Sequence, residues 1–236
     1  WSTPHGEYYL RGGHRLWASP EDAGYVCPEG NVKVLAERDK VSLQGEVDAS
    51  GLEKEISFRL EQNRVLLTHR LTWRGSEPVE LAPWSITQVR LGGTAILPLA
   101  TSGGLLPNRN IVLWQYSRLD DERFELCDDL ILLHGHSSEH AFKVGNYNSQ
   151  GWIACLWQDI LFVKRFSVAD IRQYPDLGSN VEAYVRDSCL ELENLEPLTH
   201  LQPGASTTLE ETWEISAGKY SMTVEDARKI SKQLLS

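Results

Sequence analysis

The chain has 236 residues, 41% apolar and 24% charged, proportions of a globular protein that exclude disorder, collagen and coiled coil. At this length roughly 72% of the unfolded surface can be buried, enough for a core without disulfides or metals, and no apolar run approaches the roughly 18 to 20 residues that span a bilayer. Thirty-three Asp and Glu against 23 Lys and Arg give a net charge of −10, which repels phosphate backbones, and the basic residues are scattered among carboxylates; nucleic acid and membrane are therefore excluded as partners.

In chain order, residues 32–38, 41–47, 56–60 and 65–73 alternate apolar with polar side chains between short Gly, Asp or Asn turns, the signature of half-buried antiparallel strands. Residues 92–110 read as loop, after which the alternation resumes at 111–116 and 123–133. A second loop-like stretch, 134–148, precedes strands at 152–157 and 160–166, with Gln158-Asp159 as a tight hairpin between them. Residues 173–180 read as loop, and 181–185, 189–195 and 208–215 as strands. Helical spacing is confined to the C-terminus: Thr223 and Asp226 suit a capping box, and Val224, Ala227, Ile230 and Leu234 share one face, so a short helix is predicted on the outside of a sheet. Many strands without βαβ alternation predict an all-β fold, one large antiparallel sandwich over residues 1–236.

No G-x-S-x-G, Walker loop, G-x-G-x-x-G or H-E-x-x-H phrase occurs. Cys27, Cys127, Cys155 and Cys189 stand far apart, with no C-x-x-C pair, and are expected as buried free thiols. No metal and no cofactor is called for. Eight Trp against five Phe and one Met is the unusual dose. An indole joins a broad apolar face to one N–H, which suits a sugar ring's faces and hydroxyl rim and equally fills a wide sandwich. Trp17, two residues after Arg15, and Trp84, after Pro83 in a broken strand beside Ser85 and Thr87, are the two placed for a ligand.

In Leu190-Glu191-Leu192-Glu193-Asn194-Leu195 a period of two puts both carboxylates on one face, about 7 Å apart, and the leucines on the other. Facing solvent, the pair is an exposed edge. Lining a cavity, one carboxylate acts as general base or binds sugar hydroxyls while mutual repulsion raises a pKa; Glu182, in the neighbouring alternating run, then shares the site. His134-Gly135-His136 with Glu139 and His140 has metal-site residue types without a full ligand set and reads as a solvated loop. His69 lies on the face of Val65, Leu67 and Leu71 and reads as a hydrogen-bonded core histidine. His14 and Arg15, presented after the Gly12-Gly13 turn, are binding candidates or a structural ion pair. Arg15, Lys143 and Lys164 are the cations able to form an anion subsite.

Taken together, Gly12-Gly13-His14-Arg15-Leu16-Trp17, Leu81-Ala82-Pro83-Trp84-Ser85-Ile86-Thr87, the stretch from Leu113-Trp114-Gln115-Tyr116 to Asp120-Asp121-Glu122-Arg123, Lys143-Val144-Gly145 and Tyr174-Pro175-Asp176-x-Gly178 resemble a bacterial branch of the galactose mutarotase-like proteins. Leu190-Glu191-Leu192-Glu193 leading to Pro197 and Pro203-Gly204 does so too. The resemblance runs from about Gly12 to Ile215 and rests on the order and spacing of motifs that are individually weak. It implies a large antiparallel supersandwich with a sugar site in a cleft across the concave sheet, and further strands before Gly12. In aldose 1-epimerases of this family a late glutamate takes the proton of the anomeric hydroxyl and a histidine protonates the ring oxygen. Glu191 or Glu193 matches the glutamate. The histidine is unmatched: the corresponding segment reads Trp84-Ser85-Ile86-Thr87, and no Asn-His-x-Tyr-Phe phrase follows.

The function expected is a carbohydrate-binding protein whose partner is a small-molecule sugar or sugar conjugate, neutral or cationic in preference to multiply phosphorylated. The catalytic candidates are Glu193, Glu191 and His14; the binding candidates are Arg15, Trp17, Trp84, Thr87, Lys143, Lys164 and Glu182. The alternatives are an aldose 1-epimerase-type isomerase using a Glu base, with His14 facing the carboxylates as the acid, and a structural or interaction module that has lost the site. A glycoside-cleaving pair is disfavoured because two carboxylates on one strand face are poorly placed to flank a bond. Without a signal peptide or N-x-S/T sequon the protein is expected in the cytoplasm, and its start at Trp1 suggests a trimmed N-terminus.

Overall fold

The computed structural model describes residues 2–28, 30–101 and 103–235; Trp1, Glu29, Ser102 and Ser236 lie outside them. Two antiparallel sheets dominate the described residues. The ten-stranded sheet runs, edge to edge, Phe124–Leu126, Leu130–His134, Gly93–Pro98, Trp152–Trp157, Ile160–Phe166, Ser206–Ala217, Arg64–Trp73, Leu52–Glu61, Lys40–Gly45, Val32–Ala36. The seven-stranded sheet runs Val112–Leu113, Phe142–Asn146, Val181–Val185, Leu190–Leu195, Val79–Val89, with Thr199–Leu201 and His14–Ser19 both pairing to Val79–Val89. Alternate residues of both sheets meet in one core, among them Leu97, Ile131, Ile153, Phe142, Val144, Val181, Leu190 and Leu192. The opposite residues of the smaller sheet are thereby turned outward, and they build the site.

The long strand Val79–Val89 was legible only as a broken one because of Pro83. Its proline sits where the strand changes partners along one edge, between the register ending at Trp84 opposite Leu195 and the one beginning at Leu81 opposite Thr199, while the other edge stays paired with Pro83 opposite Ala18. Gly145, opposite Glu182, is required by packing: a Cβ there would meet Ser179 Oγ at 2.6 Å and Glu182 Cγ at 3.2 Å. In Tyr174-Pro175-Asp176-Leu177-Gly178 three successive residues take positive φ, and Gly178 packs so closely on Ile171 that no larger residue fits. Ser19 Oγ donates to Asp176 Oδ2, tying this turn to the end of the His14–Ser19 strand.

The C-terminal helix, Val224–Leu234, forms as expected. Thr223 Oγ1 caps it by accepting from Asp226 N, and Ala227 and Ile230, flanked by Val224 and Leu234, bury against Ile96, Leu132, Trp152 and Leu156 on the outer face of the larger sheet. The cap is not reciprocal: the Asp226 carboxylate reaches Ser221 rather than Thr223. Four other expectations are corrected. Residues 92–110 contain the central strand Gly93–Pro98, residues 134–148 contain Phe142–Asn146, the run 123–133 is a hairpin of two strands, and 111–116 contributes only Val112–Leu113. Cys27, Cys155 and Cys189 are buried free thiols and Cys127 is partly exposed. Among the described residues no helix is long and apolar enough to cross a membrane.

Candidate functional site

Alternation along Leu190–Leu195 turns Glu191 and Glu193 outward and Leu190 and Leu192 into the core, as the sequence pattern requires. Hydrogen-bonded registers place Glu182 beside Glu193, and Lys143 beside Tyr184, on the same outer face. On the other side of Val79–Val89, Arg15 and Trp17 pair with Ile86 and Trp84. Six of the sequence-derived candidates, Arg15, Trp17, Trp84, Lys143, Glu191 and Glu193, consequently line one cleft of about 340 Å³, with Glu182 buried behind Lys143. Trp17 and Trp84 meet edge to face at 5.5 Å and form, with Tyr8, Val26, Ile86 and Leu195, a small apolar cluster at its base.

The charged groups form two linked sets. Glu191 Oε1 accepts from Arg15 Nη2 at 3.0 Å and from Gln88 Nε2 at 2.6 Å. Glu193 Oε2 accepts from Trp84 Nε1 at 2.7 Å and from Lys143 Nζ at 3.0 Å, and the same ammonium lies 2.6 Å from Glu182 Oε2. Lys143 also stands over the rings of Trp84 and Trp114, 4.5 Å from each, as Arg15 stands over Trp17 at 4.7 Å. Burial alone would weaken the Lys143 ammonium, but Glu182 and Glu193 more than reverse this and hold it charged. Burial, with repulsion from Glu193, pushes Glu182 well above the usual carboxylate range despite Lys143, and raises Glu191 despite Arg15. Several buried atoms here have no hydrogen-bond partner: Arg15 Nε and Nη1, Glu193 Oε1 and Glu182 Oε1.

His14, Thr87 and Lys164 do not join the cleft. One strand position from Arg15, His14 faces the opposite way, and the expectation that it opposes the carboxylates is not met. It lies between the sheets, where its Nδ1 is 2.9 Å from Thr87 Oγ1 and its Nε2 is 2.6 Å from His69 Nε2. His69 Nδ1 lies 3.1 Å from Leu209 O, which can only accept, so that nitrogen carries the proton. His14 Nε2 must then donate to His69, and Thr87 to His14. Burial pulls His14 down to about 3 and lowers His69 as well, so both rings are neutral at physiological pH. Beside them Lys164 Nζ lies 3.2 Å from Glu211 Oε1, while Ser85 and Trp213 also donate to that carboxylate. Burial raises Glu211, but Lys164 and the neighbouring donors outweigh it and hold the group at about 2.

The ligand-type atoms of His14, His69 and Glu211 lie within 4.8 Å of one another. The two rings are already joined directly, however, and both Glu211 oxygens are taken by protein donors, so this is a satisfied polar plug and not a metal centre. His69 is the buried, hydrogen-bonded core residue expected. His134 ends a strand rather than standing in a loop, bonded to Thr94 and Glu125.

A larger depression of about 590 Å³ lies along strands of the ten-stranded sheet; of its charged lining residues Glu37, Asp39, Arg59 and Glu210 are exposed, Lys40 and Arg165 are half-buried, and Glu211 is already paired with Lys164. Sequence reasoning missed Tyr184, Tyr116 and Glu21 in the cleft, and Gln88, which donates to Glu191 beside it. Gln88 follows Trp84 and Ile86 on one face and was within reach once residues 79–89 were recognised as one strand. Glu21 and Tyr116 arrive on irregular segments that leave no periodic signal.

No family model and no curated protein matches the sequence. The fold does match solved structures: a candidate aldose 1-epimerase of Escherichia coli K12, at TM-score 0.52 and 14% identity over 80% of this chain and 69% of that one; a candidate mutarotase of Salmonella typhimurium, at 0.52 and 10% over 92% and 79%; and a TPR-domain containing protein of Parabacteroides distasonis ATCC 8503, at 0.56 and 12% over 94% and 41%. At these identities the likeness shows the fold, which is the mutarotase-like sandwich expected from the sequence motifs.

Proposed function

We propose that the chain binds an aldose, free or as the sugar part of a conjugate, in the cleft between the Arg15–Glu191 pair and the Lys143–Glu193 pair. The observation that carries this reading is a set of buried atoms left unpaired on residues that line the cleft: donors at Arg15 Nε and Nη1, and an acceptor at Glu193 Oε1. Each such atom costs about 1–3 kcal/mol while unsatisfied. A sugar hydroxyl accepts and donates at once, so adjacent ring hydroxyls can take an Arg15 N–H and give a proton to Glu193 Oε1, with Trp17 and Trp84 as rigid apolar walls. The likeness of fold to a candidate aldose 1-epimerase and a candidate mutarotase supports the same ligand class.

Binding without epimerisation is the reading the geometry favours. Ring opening needs a base at the anomeric hydroxyl and an acid at the ring oxygen, each contributing about 10²- to 10⁴-fold. Glu193 can serve as the base, but no histidine is among the residues lining the cleft. Titration calorimetry with a panel of aldoses tests the proposal: Arg15→Ala and Glu193→Gln should each weaken the best ligand by about 10- to 100-fold, the loss of one charge-assisted hydrogen bond. Polarimetry should show no faster decay of optical rotation for freshly dissolved aldoses. Acceleration abolished by Glu193→Gln would install the epimerase instead, and failure of every aldose to bind would remove the sugar site.

A further inference from the structure

Three carboxylates, Glu182, Glu193 and Glu191, are 0%, 1% and 6% exposed on the cleft's inner wall, and two cations, Arg15 and Lys143, stand against them. Arg15 is committed to Glu191. Lys143 alone serves both Glu182 and Glu193, so one negative charge has no counterion. The surroundings do not supply one: Lys164, between the sheets, also acts on Glu193 but is paired with Glu211, Glu21 and Asp176 add further negative potential to Glu193 and Glu182, Tyr116 and Tyr184 are neutral phenols, and Arg186 at the rim lies 3.9 Å from its own neighbour Asp187. An uncompensated carboxylate in such a place is costly and is relieved either by a proton or by a cation. The unpartnered Glu193 Oε1 is an acceptor for which the protein provides no donor.

We infer that the preferred ligand is an amino sugar, a hexosamine with a free ammonium group, whose charge sits beside Glu193 and completes the count of three cations to three carboxylates. The inference rests on the sugar-site reading and narrows it. In the ligand-free protein the surplus charge is held down by a proton, for which the buried Glu182 carboxyl is the natural seat. When the ammonium form binds, that proton leaves to solvent, so that one cation replaces another and the charge of the buried cluster is unchanged. N-acetylation, which removes the charge while keeping the nitrogen, should lose the preference, and so should replacement of the amine by hydroxyl.

The test is calorimetry near pH 6.5 with D-glucosamine and D-galactosamine, their N-acetyl forms, and glucose and galactose, each in two buffers of different ionisation enthalpy. The expected result is at least about tenfold tighter binding of one hexosamine than of its N-acetyl and hydroxyl counterparts, as for one charge-assisted contact, with release of close to one proton. Affinity for the hexosamine should fall towards pH 5, where the proton is harder to displace. In Glu182→Gln the carboxylates equal the cations, and the preference for the amine and the proton release should both disappear. Equal or tighter binding of the neutral hexoses overturns the inference and leaves the sugar site standing; binding of none of the six overturns both.

Discussion

His14 and Arg15 are adjacent in sequence and on opposite sides of a sheet, and that single step separates a hydrogen-bonded interior from the candidate cleft. Side chains of a strand alternate, so neighbouring residues turn to opposite faces of the sheet. The same rule applied to Glu191 and Glu193 placed them correctly, because Leu190 and Leu192 mark the buried face; around His14 the flanking Gly-Gly and Leu gave no such mark. Glu196, which the sequence did not single out, shows what burial does at this scale. Burial, with the charges of Glu210 and Glu211, raises its carboxyl to about 7 from an ordinary 4.5. The folded protein therefore keeps a proton that the unfolded chain has already lost, and stability falls as pH rises from about 4.5 to about 7. Glu196→Gln should flatten that slope and make the protein more stable than wild type at pH 8, by up to about 3 kcal/mol, with no gain at pH 4. Urea denaturation at the two pH values would show it, and an unchanged difference between them would disprove it.

Strands were legible where residue types alternate, even at the fully buried Leu190–Leu195, and illegible where they do not. Arg64–Trp73 and Ile160–Phe166 alternate and were read; Gly93–Pro98 is buried at every position and offers no period of two. Phe142–Asn146, equally buried, carries a glycine and an asparagine that look like loop residues, yet its glycine makes room for Glu182. Burial also explains Lys164, whose strand position directs an ammonium between the sheets. It donates to Leu192 O and Ser85 Oγ and pairs with Glu211, tying the larger sheet to the smaller. Because Glu211 is held near 2 in the folded state, its contribution is present above its unfolded value of about 4.5 and is lost as pH falls toward 2. Lys164→Met leaves that carboxylate buried without its cation and should cost about 3–5 kcal/mol at pH 7. Thermal melts should show a large drop in Tm that narrows at low pH, where Glu211 takes a proton; a drop of equal size at both pH values would mean that lost packing, not charge, is responsible.

At the scale of the whole molecule, a net charge of −10 says little about the one place where charge is concentrated and buried. The order of short motifs along the chain anticipated the sandwich, and the fold brings several of them together: Gly12 to Trp17 and Leu81 to Thr87 pair as neighbouring strands, Lys143 and Glu193 pair on one sheet face, and Asp176 holds the end of the first of those strands. What spacing along the chain could not reveal is which of these residues share a face, since that depends on strand registers between segments from 63 to 111 residues apart. The central claim is that the outward face of the smaller sheet is a sugar site, and a crystal structure of the protein soaked with its best aldose ligand tests it most directly. The account expects the ring in the cleft, with hydroxyl or amino groups on Glu193 Oε1 and Arg15 Nε; a sugar bound elsewhere, with these atoms still unpartnered, would contradict it.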